Sequence, residues 1–119
     1  MPSPFILVLF DIDGTLLDTQ DAGVLAYEHA GRRVHGVDFS FVDVPLHGRL
    51  DSENYADALV RHCPEVDPAT HEPAFRAAYA DALDRIAREM GGFSPCPGVR
   101  SLIQHLAVDD RFELGLLTG

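Results

Sequence analysis

Apolar residues run without a break from Phe5 to Phe10. A strand with one wet face alternates, so an unbroken run predicts a strand buried on both faces, as in a parallel sheet. A second such segment is Phe112-Glu113-Leu114-Gly115-Leu116-Leu117, which leads into Thr118-Gly119. Between the two the pattern turns helical. Ala22, Leu25, Tyr27, Ala30 and Val34 give a loose apolar face that Gly36 can end, with Asp18 or Thr19 as cap and Asp21 in the first turn. Residues 37–47 hold Phe39, Phe41, Val42 and Val44 with no clear period and read as a loop. Tyr55, Ala58 and Leu59 mark a helix capped by Asp51 or Ser52 and stopped by Pro64. Pro68 and Pro73 fit a turn or a first helical turn. Phe75, Tyr79, Leu83, Ile86 and Met90 then form one stripe at helical period, closed by Gly91-Gly92. After Pro95-Cys96-Pro97-Gly98, a last helix with Val99, Leu102, Ile103 and Leu106 inward precedes the second strand.

The order is strand, a long helical stretch, linker, helix, strand. It predicts an α/β protein in which the two strands form a parallel βαβ crossover. Residues 18–92 are too long for a plain crossover and read as an inserted helical subdomain. Residues 1–17 and 93–119 make a discontinuous core. Ligands of open parallel sheets bind outside the carboxyl ends of the strands. Asp11 and Asp13 follow the first strand, and Thr118 and Gly119 follow the second, so both stretches fall at such ends.

Composition narrows the partners. The chain has 119 residues, 46% hydrophobic and 24% charged, with a formal net charge of −10. So acidic a chain lacks the basic footprint that nucleic acid or an anionic membrane requires. Cys63 and Cys96 stand in unrelated contexts with no C-x-x-C pattern, which fits free thiols rather than a zinc or redox site. The six-residue apolar run after Met1-Pro2-Ser3-Pro4 is too short for a secretory leader or a membrane span. A cytoplasmic protein is expected.

The candidate chemistry sits in Asp11-Ile12-Asp13-Gly14-Thr15. In an extended chain the two carboxylates would project to one side. So close together they resist ionising unless a cation or donors compensate. Asp13-Gly14 is also a hairpin signal that could join residues 5–12 to 15–17. The second run is short, however, and a hairpin gives no reason for Asp11. A strand ending in paired carboxylates at a turn suits Mg²⁺-dependent phosphoryl transfer. No histidine pair has the spacing of a metal-binding helix.

The same residues resemble the first motif, D-x-D-G-T, of the haloacid dehalogenase (HAD) superfamily. Leu116-Leu117-Thr118-Gly119 looks like its second motif, and Pro95–Val99 is similar to the segment leading into the preceding helix. Gly48-Arg49 resembles a substrate loop in the caps of phosphoglycolate phosphatase-like and β-phosphoglucomutase-like members. The resemblance implies a Rossmann-like core with an α-helical cap at 18–92 and a small phosphorylated metabolite as substrate. It makes Asp11 the nucleophile of an aspartyl-phosphate mechanism and Asp13 the acid and base. Asp11 and the Asp13 carbonyl would hold Mg²⁺. Gly14, Thr118 and Gly119 would hold phosphoryl oxygens, and Gly48 and Arg49 would meet the substrate from the cap. An acid at position 13 favours phosphate esters over carbon–halogen bonds, since halide leaves without a proton. A phosphomutase is the alternative enzyme, and a phosphate-binding remnant without turnover the alternative outside enzymes. The family continues with a lysine and a further acidic pair. This sequence has no lysine at all and ends at Gly119. The expectation is therefore the N-terminal portion of a longer protein, with little activity of its own.

Overall fold

The structure is a computed structural model describing residues 4–118, which fall into two compact units. One comprises residues up to Gln20 together with Phe93–Thr118, and the other Asp21–Gly92. It is a mixed α/β protein, about half helical, with a small parallel sheet. Among the described residues no helix is long and apolar enough to cross a membrane.

In the first unit, β1 (Ile6–Phe10) pairs in parallel with β4 (Phe112–Leu116), Ile6 opposite Phe112 and Phe10 opposite Leu116. The Leu117 N–H donates to the Phe10 carbonyl at 2.8 Å and extends the ladder by one bond. The helix α4 (Val99–Ala107) precedes β4 and packs on it. Two short strands, β2 (Leu17–Asp18) and β3 (Ser94–Pro95), pair antiparallel. Leu17 and Asp18 thus belong with the sheet-bearing unit, and the division falls after Gln20. The hairpin between residues 5–12 and 15–17 does not form, because β1 takes its partner from the far end of the sequence.

β1 departs from the expectation of burial on both faces. Ile6, Leu7 and Leu9 are 53%, 54% and 51% exposed. The cause is thin cover: strand side chains project from the faces of a sheet, and among the described residues of this unit α4 is the only helix to cover one. The inward face expected of α4 is likewise only half covered at Val99, Ile103 and Leu106, and Leu102 is exposed.

The second unit holds the buried core. It contains α1 (Ala22–His35), α2 (Asp51–His62) and α3 (Pro68–Glu89). α1 and α3 make the most extensive contact, through the buried alanines 22, 26 and 30 on one helix and 78 and 82 on the other. Small side chains let the two backbones approach. Phe39, Phe41 and Val44 of the aperiodic connector fold over this pair and are buried with Tyr27, Tyr55, Leu59 and Phe75. The Phe75 ring stacks on Tyr55 with centroids 4.3 Å apart. Such pairs contribute beyond their burial.

Helix boundaries follow local chemistry. α3 begins at Pro68, where a missing N–H costs nothing, and Asp67 caps it by accepting from the Ala69 N–H at 3.3 Å. Pro73 lies within this helix, beyond the first turn. α1 starts later than Asp18 or Thr19 would place it. Its cap is Asp21, in a left-handed conformation, with no side-chain bond. The Asp18 carboxylate instead accepts from the Gln20 N–H at 3.1 Å.

Candidate functional site

The first unit carries Asp11, Asp13, Gly14 and Thr118. β1 ends at Phe10, and Asp11 is the first residue beyond it, exposed at the carboxyl edge of the parallel pair. Thr118 lies two residues beyond β4, at the same edge. The ladder bond between Leu117 and Phe10 ties the two exits together. The register thus brings two stretches a hundred residues apart to one end of one sheet.

The chain does not stay extended through Asp13. The Ile12 carbonyl accepts from the N–H groups of Thr15, Leu16 and Leu17 at 3.2, 2.9 and 3.0 Å, which winds residues 12–17 into a tight turn. Gly14 has φ of +72°, a conformation that disfavours any side chain. That turn, rather than strand alternation, sets where the two carboxylates stand. Thr15 Oγ1 donates to Asp11 Oδ2 at 3.5 Å, a long bond. Asp13 forms an isolated bridge to Leu17. The Gly14 N–H donates to the Leu17 carbonyl at 2.9 Å and is committed to holding the turn. In this conformation it is not available to a phosphoryl oxygen. Gly119 lies outside the described residues.

Neither Asp11 nor Asp13 is in an ion pair among the described residues. Two exposed carboxylates and a carbonyl are hard oxygen donors. They fit Mg²⁺, which is commonly held by one or two carboxylates together with substrate phosphate. No group of three acidic, histidine or cysteine side chains suited to a metal exists among the described residues.

The first unit also contains an apolar groove of about 370 Å³. Ile12, Leu16, Leu17, Pro95, Ile103 and Leu116 line it. Its accessible lining surface is apolar, although Arg100 and Gln104 also border it.

Gly48 and Arg49 belong to the second unit. Gly48 has φ of +73° and turns the chain into α2. Arg49 Nη2 pairs with Asp57 Oδ2 at 2.6 Å, and Nη1 reaches the Pro45 carbonyl at 3.5 Å. The guanidinium is thus held against α2, with about a quarter of the side chain exposed. The rest of this loop is tied to α2 as well. Asn54 Nδ2 donates to the Leu46 carbonyl at 3.1 Å, and the Leu50 N–H to Glu53 at 3.2 Å. Tyr27 of α1 donates its hydroxyl to Asp51, and burial together with this carboxylate pushes the phenol's pKa far up.

Sequence reasoning missed Asp57, Asn54 and the Tyr27–Asp51 bond. The Arg49–Asp57 pair spans eight residues across a loop and a helix, which no local spacing rule describes. The run Glu53-Asn54-Tyr55, an amide between an acid and a tyrosine, was the one available signal. Compared with known proteins, the chain matches no family model and no curated protein sequence.

Proposed function

We propose that the chain carries the phosphoryl-transfer half-site of a Mg²⁺-dependent, HAD-type phosphatase acting on a small phosphorylated metabolite. The observation that supports this best is the shared carboxyl edge of the parallel β1–β4 pair, from which both the Asp11–Thr15 turn and Thr118 depart. In this reading Asp11 attacks phosphorus with one carboxylate oxygen, and the phosphorus–ester bond breaks. Asp13 gives its proton to the departing alkoxide. Asp13, now a carboxylate, takes a proton from water, whose oxygen attacks the aspartyl-phosphate. Inorganic phosphate leaves and Asp11 is restored. Thr118 donates its hydroxyl to a phosphoryl oxygen, and Gly14 serves the turn. Bound Mg²⁺ would supply positive charge against the carboxylates and the phosphate. Asp11 and the Asp13 carbonyl are the residues that would hold it. The second unit, Asp21–Gly92, would be the cap, with Arg49 recognising an anionic part of the substrate once it leaves Asp57.

A second reading is favoured by the absence of any lysine and of a third convergent acid among the described residues. The 119-residue chain would then bind phosphate without completing turnover. One experiment separates the two. Aryl-phosphate hydrolysis and phosphate binding are measured with Mg²⁺ and with excess chelator, on the chain and on Asp11→Asn. The enzyme reading expects Mg²⁺-dependent turnover that falls at least about a thousandfold in Asp11→Asn, the scale of losing a nucleophile. The remnant reading expects Mg²⁺-dependent phosphate binding alone, also lost in Asp11→Asn. Turnover that survives Asp11→Asn, or neither turnover nor binding, refutes both.

A further inference from the structure

In the second unit, the end of α1, the middle of α2 and the first turns of α3 meet around two histidines. His35 is the last residue of α1, and its Nε2 lies 2.6 Å from the Tyr55 hydroxyl. Its ring stacks on Tyr55 at 5.7 Å and packs against Phe39 at 4.8 Å. The ring of His71, in the second turn of α3, is 5.9 Å away on another side. Tyr55 is 1% exposed and sits in the aromatic core against Phe75. This polar contact therefore joins three helices at the margin of the core, and phosphoryl chemistry makes no use of it.

We propose that the His35–Tyr55–His71 seam is an acid-sensitive latch, closed while the His35 imidazole is neutral and opened when it takes up a proton. The reasoning is one of donors and charges. The Tyr55 phenol is buried and carries its proton, with its pKa pushed up to about 12 mainly by that burial. It needs an acceptor, and the lone pair of a neutral Nε2 is one. A protonated imidazole offers only N–H, so the bond becomes donor against donor unless the phenol hydroxyl turns away. Two imidazolium rings 5.9 Å apart also repel, in a site partly shielded from water.

The other groups around the seam come from each helix. On α3, Glu72 is paired with Arg76 at 2.9 Å and also acts on Tyr55, and the Asp67 carbonyl lies 3.4 Å from His71 Nδ1; on α1, Arg32 is paired with Glu28 at 3.4 Å. From α2 and its end come Tyr55, His62, which packs on Phe39, and the Cys63 thiol, which acts on Tyr55. The connector contributes the uncharged Phe39. No histidine is in an ion pair among the described residues. Burial and the neighbouring His71 lower the pKa of His35 below its usual value of 6.5. With the folded value lowered, the unfolded chain binds the proton first. Stability is then full above pH 6.5 and declines as pH falls from there through the folded value.

All three tyrosines, 27, 55 and 79, lie in the second unit, and the chain has no tryptophan. Near-ultraviolet tyrosine dichroism of the full chain therefore follows this unit. Melting is measured at pH 7.5 and 5.5 for the parent and for His71→Gln, whose side chain is half exposed and still accommodates a polar amide. The parent midpoint is expected to fall by about 5 °C or more, the scale of one lost interaction in a unit this size. His71→Gln should fall by less, because only the charge of the neighbouring imidazole is removed while the burial of His35, the larger cause, remains. An equal fall in both refutes the latch, as does a pH-independent parent. A titration by ¹H–¹⁵N spectroscopy needs no variant. The imidazole showing contacts to the Tyr55 and Phe39 rings should titrate below 6.5, and a value at or above 6.5 overturns the proposal.

Discussion

Gly31→Ala is the sharpest test of the packing in the second unit, because two physical effects predict opposite signs. Gly31 lies in the interior of α1. On an isolated helix, alanine there would stabilise by about 0.8 kcal/mol, since glycine surrenders more backbone freedom on folding. The fold argues otherwise. A Cβ on Gly31 would stand 2.8 Å from Phe39 Cε1, closer still to Cδ1, and 3.1 Å from Phe41 Cε2. Both rings are 2% exposed, and their centroids lie 5.4 Å apart, edge to face. Neither ring can withdraw without disturbing the other or Tyr27. Overpacking of this kind costs about 2 kcal/mol. The balance is a net loss of about 1 kcal/mol, which lowers the melting midpoint of a domain of this size by about 4–8 °C. Thermal unfolding followed by tyrosine dichroism reads it directly. A rise in the midpoint would mean that propensity wins and that the Phe39 ring does not sit over Gly31. A second background makes the logic stricter. In Phe39→Leu the ring is gone, so the added methyl should change from destabilising to neutral or stabilising. Additive effects of the two substitutions would refute the contact, because touching residues couple.

Two further predictions concern the same core. Phe75→Ala removes a ring that is 2% exposed and in contact range of Tyr27, Phe41, Tyr55 and Tyr79, so it should cost about 3–5 kcal/mol. That is a large share of what a domain this small has, and the variant should lose its near-ultraviolet tyrosine signal at room temperature; a midpoint within a few degrees of the parent would contradict the assigned core. Tyr27→Phe deletes the donor to Asp51 and should cost about 2 kcal/mol, as bonds to charged groups do. Urea unfolding at pH 7 checks it, and an unchanged midpoint would remove the bond from the account.

Legibility differed by region for physical reasons. Phe75 and Ile86 could be read as inward because bulky apolar residues at helical spacing announce a face. The face actually buried on α3 is Phe75, Ala78, Ala82 and Ile86, while Tyr79 and Leu83 lie to one side, half covered. The axis of contact is set by alanines on α1 and α3, and alanine is a weak signal in any hydrophobicity pattern. Leu25 was read as inward and is half exposed for the same reason, since Ala22 and Ala26 occupy the contact. The connector 37–47 has no period, yet supplies two of the most buried rings. Irregular backbone leaves no periodic trace of which side faces in. At the candidate site, the residue types and the parallel pairing of the two strands were legible from strand pattern and order, while the register was not. The winding of residues 12–17 was not, because it depends on three amides converging on one carbonyl.

The two units divide core and chemistry unequally. Among the described residues, every residue of the buried core lies in the helical unit and none in the unit carrying Asp11 and Thr118. β1 has the composition of an interior strand, yet Leu7 and Leu9 on one face and Ile6 on the other are exposed. An interior composition without burial leaves the largest favourable term in folding unspent. Among the described residues, two parallel strands and one helix also leave two sheet edges without a partner strand. The turn that holds Asp11 and Asp13 hangs on this sparsely covered sheet and on the short β2–β3 pairing. Anything that binds the folded form of this unit and not its unfolded form must stabilise it by mass action. Phosphate with Mg²⁺ bound at the β1–β4 edge would therefore order the unit as well as occupy it. Hydrogen exchange offers the clean discrimination. Ligand-dependent protection should appear at the amides of Leu16, Leu17 and Leu117, which close the turn and the ladder, and not in α1 or α3. Protection confined to the helical unit would place the anion on the other body and remove the sheet edge as the site.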